Sequence, residues 1–391
     1  MGRSVIVGGA RTPFGKLGGA LASVSAVELG TAAARAAIDR SNLEPTALDY
    51  CVFGCVIQAG LGHIPSRQVS ISAGMRIDAG SETVNKVCAS GLRAIAVADA
   101  MVRLGDAGCV LAGGMESMSR GPYLLAGARD GLRYGDASMR DATIWDGLRD
   151  PWSGRQMYEQ AATVAGELAQ TREELDAWSL RSQERAIAAI DAGAMGEEIA
   201  PVTVRGRKGE LVVDTDEAPR RGSTAAALAG LRPLEAGGLI TAGNAPGVND
   251  GAAAVVVVGE EIARERGLEP LARIVASGYA ADRHDRLTHA PAVAATLALG
   301  RAGLSAADVA LWEINEAFAS VPVHASRELR IDPELVNQQG GAIALGHPLG
   351  ASGARLVVTL IHQLRRRGGG IGVAAICSGG GQGDALVLEV A

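Results

Sequence analysis

Short apolar runs rich in Val, Ile and Ala alternate with longer Ala-rich runs of helical period across residues 1 to 115, and the alternation returns from about 245 to 391. In the first stretch SVIVGG (4–9), DYCVFGCVI (49–57), ETVNKV (82–87) and CVLAGG (109–114) predict strands, with helices over 25–40 and 91–106 between them. In the second, 252–259, 309–315 and 370–378 predict strands, and 293–303 and 353–367 predict helices. Strands that alternate with helices imply βαβ units and an α/β fold. Residues 116–242 break the pattern: they hold all but one of the tryptophans, many charges, and a long helical run over 172–193 without alternating strands. They read as an insertion whose polar segment 205–223 makes a surface hairpin or loop.

The chain also repeats itself. CASGLR at 88–93 matches GASGAR at 350–355, and the same offset of 262 carries the strand at 109–114 onto 371–376. A helix start and the strand after it therefore recur in step, which points to duplicated halves with two equivalent helix N-termini near a common centre. At 391 residues the chain has room for two such halves and an insertion.

Composition narrows the class. A formal net charge of −6, from 37 Lys+Arg and 43 Asp+Glu, is too mild and dispersed for a nucleic-acid surface. No run approaches the ~20 apolar residues of a membrane helix, and the first residues lack the apolar core of a signal peptide. Five cysteines in so long a chain do not make a disulfide framework, so the expectation is a cytoplasmic enzyme.

Four stretches carry candidate chemistry. Cys88 stands at a strand-to-helix junction, where the helix dipole and free amides favour a thiolate nucleophile; alternatively it packs as a small buried hydrophobe. His347 lies in a loop crowded by Gly340, Gly341, Gly346 and Gly350, within the half that mirrors Cys88, so a Cys/His pair across the halves is open beside a structural turn histidine. Asn315 and Glu316 end a strand before an apolar helix, which Asn315 could cap. Cys377 ends a strand before Gly379, Gly380 and Gly381, whose amides can face an oxyanion, or it is a buried strand cysteine beside a hairpin turn. Cys51 and Cys55 lack a second ligand pair, so core packing is favoured over zinc and no metal site is expected. The glycines at 379–383 lack the setting of a dinucleotide site, no GKS or GKT marks a P-loop, and Arg365 to Arg367 read as a solvated helix end.

Taken together, RTPFGKLGGAL (11–21), NKVCASGLRAI (85–95), LAGGMESMS (111–119), TAGNAPGVNDGAAAVVV (241–257), WEINEAFA (312–319), NQQGGAIALGHPLGASGAR (337–355) and CSGGGQG (377–383) resemble the thiolase family, its acetyl-CoA acetyltransferases and 3-ketoacyl-CoA thiolases. The resemblance runs nearly end to end. It implies a duplicated five-layered αβαβα thiolase fold, with an N-terminal half over 1–265 that carries an inserted loop domain at about 116–242, and a C-terminal half over 266–391.

The resemblance further implies that Cys88 forms an acyl-enzyme, His347 takes its proton, and Cys377 acts as acid/base at the α-carbon of the second thioester. Asn315, through a water, and His347 would form one oxyanion hole, and the amides of Cys88 and Gly379 the other. Met157, Arg220, Leu231, Ala242, Pro246, Phe318 and His347 would meet coenzyme A, which is substrate; no permanently bound cofactor is implied. Self-association as a homodimer or homotetramer is implied too. Departures cluster in the pocket: Pro246 replaces a serine, Gln156, Met157 and Tyr158 stand for His-Met-Gly, Ala162 stands for a glutamate, Leu234 and Glu235 follow "RP" where a phenylalanine is common, and RLTHAP, with Leu287, replaces a GxGP loop. The expected reaction is condensation of two acetyl-CoA to acetoacetyl-CoA and CoA, or its reverse. A longer-chain 3-ketoacyl-CoA thiolase, a decarboxylating ketosynthase and a non-catalytic acyl-CoA binder are the rivals.

Overall fold

The structure, a computed structural model, describes residues 2–206 and 209–391. The N-terminal half runs β1 (Ser4–Arg11), α1 (Ala26–Ser41), β2 (Tyr50–Gly54), α2 (Pro65–Ser72), β3 (Gly80–Val84), α3 (Ser90–Leu104) and β4 (Cys109–Ser117). The insertion follows, with α4 (Met157–Glu167), α5 (Arg172–Asp191) and a hairpin of β5 (Val202–Gly206) and β6 (Gly209–Val213). The half closes with β7 (Asn249–Gly259). The C-terminal half is β8 (Ala272–Ala281), α6 (Ala290–Ala302), β9 (Val309–Ile314), α7 (Ser320–Leu329), α8 (Leu349–Arg366), β10 (Gly370–Ser378) and β11 (Gln382–Val390). The main strands run β9-β10-β11-β8-β1-β7-β4-β2-β3. Outward from its own first strand each half runs through its last strand and then the strands before it, with β3 as an additional edge strand in the N-terminal half, and the halves meet where β1 pairs antiparallel with β8 over Ser4–Ile6.

Period-two alternation explains the layering. On β1, Val5 and Val7 join an outer core with Leu29 and Ile38 of α1, whereas Ile6 faces a central core. On β7, Val256 and Val258 go outward and Val255 and Val257 inward. Strands buried on both faces need apolar residues at every position, hence the run VVVV. The central core contains Leu92 and Ile95 of α3, Leu356 and Leu360 of α8, and strand residues of both halves such as Val110 and Ile376. A third core packs Ala294 and Ala298 of α6 on Ile314, Val373 and Val387. The result is helix, sheet, paired helices, sheet, helix: the expected five layers.

The repeat lies at the middle. Gly91 and Gly353, 262 positions apart, let α3 and α8 touch backbone to backbone. A Cβ at Gly91 would stand 2.7 Å from the Gly350 oxygen, and one at Gly353 would stand 2.4 Å from the Leu92 nitrogen.

Some boundaries differ from the sequence expectation. The strand expected over 82–87 ends at Val84, because Asn85–Val87 form the turn into α3, and α8 starts at Leu349 rather than 353. β8, β11 and α2 went unread, since glycines, the buried Asp384 of β11 and the polar sequence PSRQVSIS of α2 blur the apolar period. Of the hairpin or loop expected over 205–223, a hairpin forms from β5 and β6, beginning earlier, at Val202; residues 207 and 208 lie outside the described residues. No described helix is long and apolar enough to cross a membrane.

Candidate active site

Cys88 occupies a tight turn between β3 and α3. Val87, just before it, has φ of 45°, a left-handed conformation that costs a β-branched residue about 1–3 kcal/mol and persists only when its surroundings enforce it. The enforcement is visible: the Ser90 hydroxyl donates to the Val87 carbonyl at 2.6 Å and accepts the Lys86 amide at 2.7 Å. From the other half, the Ser378 hydroxyl donates to the Lys86 carbonyl at 2.5 Å. The sulfur is buried and receives the amides of Cys88 itself and of Gly379. Burial outweighs them and pushes the Cys88 thiol up to about 12, so the expected thiolate is corrected to a thiol. Here desolvation exceeds the help of the helix N-terminus.

His347 is equally buried, and its backbone amide donates to the Asn249 Oδ1 at 2.9 Å. Its Nδ1 lies 2.6 Å from the Ser352 Oγ, and that hydroxyl donates to the Pro348 carbonyl at 2.9 Å. With its one proton committed, Ser352 accepts from Nδ1–H, which leaves the lone pair on Nε2. Nε2 faces the Nδ2 of Asn315 at 3.5 Å. Burial, then the nearby Arg355 charge, pull the His347 pKa down to about 3, so the imidazole is a neutral base at ordinary pH. Asn315 does not cap the next helix, which begins at Ser320; its Oδ1 has no partner among the described residues. Cys377, near the end of β10, is buried, and its pKa is raised first by burial and then by the proximity of Cys88. The structure therefore brings Cys88, His347, Asn315, Cys377 and the Gly379 amide together from two halves.

Cys88 and His347 line one cavity of about 150 Å³ with Met157, Pro246, Phe318 and Leu349. Tyr158 and Leu234, both departures from the family pattern, line it as well. Arg220, Leu231 and Ala242 do not; they gather beside one another, with Arg220 Nη1 3.5 Å from the Ala242 carbonyl and Leu231 against Gly243. Leu287 is buried in the core of the C-terminal half, which also holds Cys377 and against which Met157, Tyr158 and Phe318 pack. Cys51 and Cys55 share the outer core of the N-terminal half, and among the described residues no cluster of His, Cys, Asp or Glu could hold a metal.

Comparison with known proteins gives the family. Models of the thiolase N-terminal domain and the thiolase C-terminal domain match residues 4–261 and 268–390. The chain is a thiolase. It is 46% identical to an acetyl-CoA acetyltransferase of Escherichia coli, covering 100% of this chain and 99% of that one, and 45% identical to a probable acetyl-CoA acetyltransferase of Mycobacterium tuberculosis, covering 100% of both. The crystal structure of the Bacillus anthracis acetyl-CoA acetyltransferase superposes with a TM-score of 0.98 at 40% identity, covering 100% of this chain and 99% of that chain.

Around these side chains the thiolase places residues whose roles sequence reasoning left unassigned. Ser352 is one, although the repeat held its signal: Ser90 and Ser352 are equivalent, one shaping the Cys88 turn and the other holding the His347 ring. Glu316 accepts Trp178 Nε1–H at 2.9 Å, the Ser182 hydroxyl at 2.7 Å, Asn337 Nδ2–H at 3.0 Å and the Ile343 amide at 3.1 Å, tying the insertion to the strand end that carries Asn315. Glu116 and Asn249, on neighbouring strands, carried no signal of their own, because a single acidic or amide residue at a strand end has no period to betray it.

Proposed function

We propose that this thiolase is an acetyl-CoA C-acetyltransferase, which joins two acetyl-CoA into acetoacetyl-CoA and CoA, or reverses that reaction, through an acyl-enzyme on Cys88. The observation that carries the reading is the meeting of a thiol from one half with a neutral imidazole from the other in a single cavity. His347 Nε2 takes the Cys88 proton as sulfur attacks the thioester carbonyl, and the carbonyl oxygen develops charge toward the amides of Cys88 and Gly379. Each preorganised donor of this kind contributes about 3 to 4 kcal/mol of barrier lowering. The departing CoA sulfur takes the proton of Cys377. The Cys377 thiolate then removes an α-proton from a second acetyl-CoA, whose carbonyl is served by Asn315 and His347, and the carbanion attacks the acyl carbon. Cys88 leaves and recovers its proton from His347, so every group returns to its starting state.

A short acyl group is favoured by the likeness to acetyl-CoA acetyltransferases, which match this chain over its full length at 45–46% identity. Met157, Pro246, Phe318 and His347 are assigned to the thioester end of CoA, and Arg220, Leu231 and Ala242 to its outer portion. Division of the halves at 265/266, a cytoplasmic setting and assembly as a homodimer or homotetramer complete the proposal. Self-association is supported by β3, the last strand of the sheet, whose edge can pair with another chain. Intact-mass analysis after mixing with acetyl-CoA tests the chemistry. Cys88→Ser should gain no acetyl group and lose nearly all turnover, whereas Cys377→Ala should acetylate but not condense. A wild-type chain that stays unacetylated would reduce the protein to an acyl-CoA binder.

A further inference from the structure

Glu116 is the eighth residue of β4 and is wholly buried, yet it makes no ion pair among the described residues. Its Oε2 accepts the amides of Val56 at 3.1 Å and Gly350 at 2.9 Å, and its Oε1 accepts that of Ile57 at 3.0 Å, with the Cys55 sulfur 3.8 Å away. Burial raises its pKa to about 7 in spite of those three donors. An unpaired buried carboxylate is costly, and the geometry indicates why an amide would not serve in its place. Both oxygens must accept, and a glutamine would turn an N–H toward an N–H whichever way its amide lay.

The three amides belong to the two sides of the reacting pair. Gly350 is in the first turn of α8, three residues past His347. The Val56 carbonyl in turn accepts Asn85 Nδ2–H at 3.4 Å, within the turn that presents Cys88. The approach is close enough to require glycine: a Cβ at position 350 would stand 2.6 Å from the Met115 oxygen and 3.0 Å from Glu116 Oε2. Asn249 holds the His347 amide from the adjacent strand, so residues 347–350 are gripped by the N-terminal half at two points.

We propose that Glu116 is a positioning residue: its carboxylate clamps the first turn of α8 to the segment supporting the Cys88 turn, and so sets the separation of His347 from Cys88. The proposal rests on the reading of that pair as base and nucleophile, which is tested first and separately. Cys88 acetylation should be fast in the wild type and slow in His347→Ala; if it is not, the pair fails and Glu116 is left without a partner to position. With the pair established, Glu116→Gln should lower kcat and the acetylation rate about tenfold to a hundredfold, as a misplacement approaching 1 Å does, while KM stays within about twofold. Combined with His347→Ala, the same substitution should cost the residual rate less than about threefold, because the group it positions is already gone. Should Glu116→Gln fail to fold, Glu116→Asp, which keeps both acceptor oxygens and withdraws them by one methylene, carries the same cycle. Wild-type rates in the folded single variant, or an equal fold-loss in both backgrounds, would overturn the proposal, since a purely structural carboxylate acts alike with or without His347.

Discussion

Replacing Gly353 by alanine probes the contact on which the two halves turn. The added carbon would meet the Leu92 nitrogen at 2.4 Å, its Cβ at 2.8 Å and its Cα at 3.1 Å, whereas ordinary contact begins at 3.4 Å. Two of these atoms are backbone of α3, so no side-chain rotation relieves the clash and the helices must part by about 1 Å. Overpacking of this kind costs about 1–3 kcal/mol. Alanine returns about 1 kcal/mol through helix propensity, which leaves a net loss of about 0–2 kcal/mol. The effect on rate is larger, because α3 follows Cys88 and α8 follows His347. A shift near 1 Å between reacting groups lowers kcat about a hundredfold. Thiolysis of acetoacetyl-CoA at saturating substrate gives kcat, and urea unfolding gives stability. Gly300→Ala is the control, for a carbon there meets nothing within 4 Å, and it should be stabilising and fully active. Gly353→Ala with kcat within twofold of wild type and undiminished stability would refute the idea that this helix contact sets the spacing of the site.

Three further outcomes are expected. Ser352→Ala frees the His347 ring from its tautomer and should lower kcat about tenfold or more in steady-state thiolysis with little change in KM. Arg355 pairs with Glu313 at 2.7 Å inside the protein, so Arg355→Met should cost about 3–5 kcal/mol in urea unfolding, and adding Glu313→Gln should recover part of it, because the uncompensated charge is removed. His347 and His324 have native pKa values near 3 and 4, below the ordinary 6.5. Their contribution to stability is whole above pH 6.5 and is lost as pH falls through the window toward 3, where the unfolded chain binds the protons that the native one refuses. His324→Asn should therefore flatten the decline of the urea midpoint between pH 6.5 and 4, and an unchanged slope would remove that cause.

Much of this protein was legible in one dimension. Alternating strand and helix periods announced the α/β class, and the 262-residue offset between CASGLR and GASGAR announced two halves, because both signals are local and repeat. Cys88, His347, Asn315 and Cys377 were legible as candidates, since each sits at a strand end or glycine-rich turn of reactive type. Their ionisation was not. A helix N-terminus argued for thiolate, but the desolvation that makes Cys88 a thiol comes from the layers packed over it, and those belong to distant segments.

The supports were invisible for the same reason. Glu116 answers to amides 60 residues before it and 234 after it, and Glu316 to a tryptophan 138 residues away, so nothing near either residue marks its task. By itself the sequence determined which elements form and which reactive groups exist, for these depend on neighbours along the chain. Only the tertiary structure decided which groups meet, in what protonation state and at what spacing, because burial and hydrogen bonding are set by residues that the fold, and not the chain, makes adjacent.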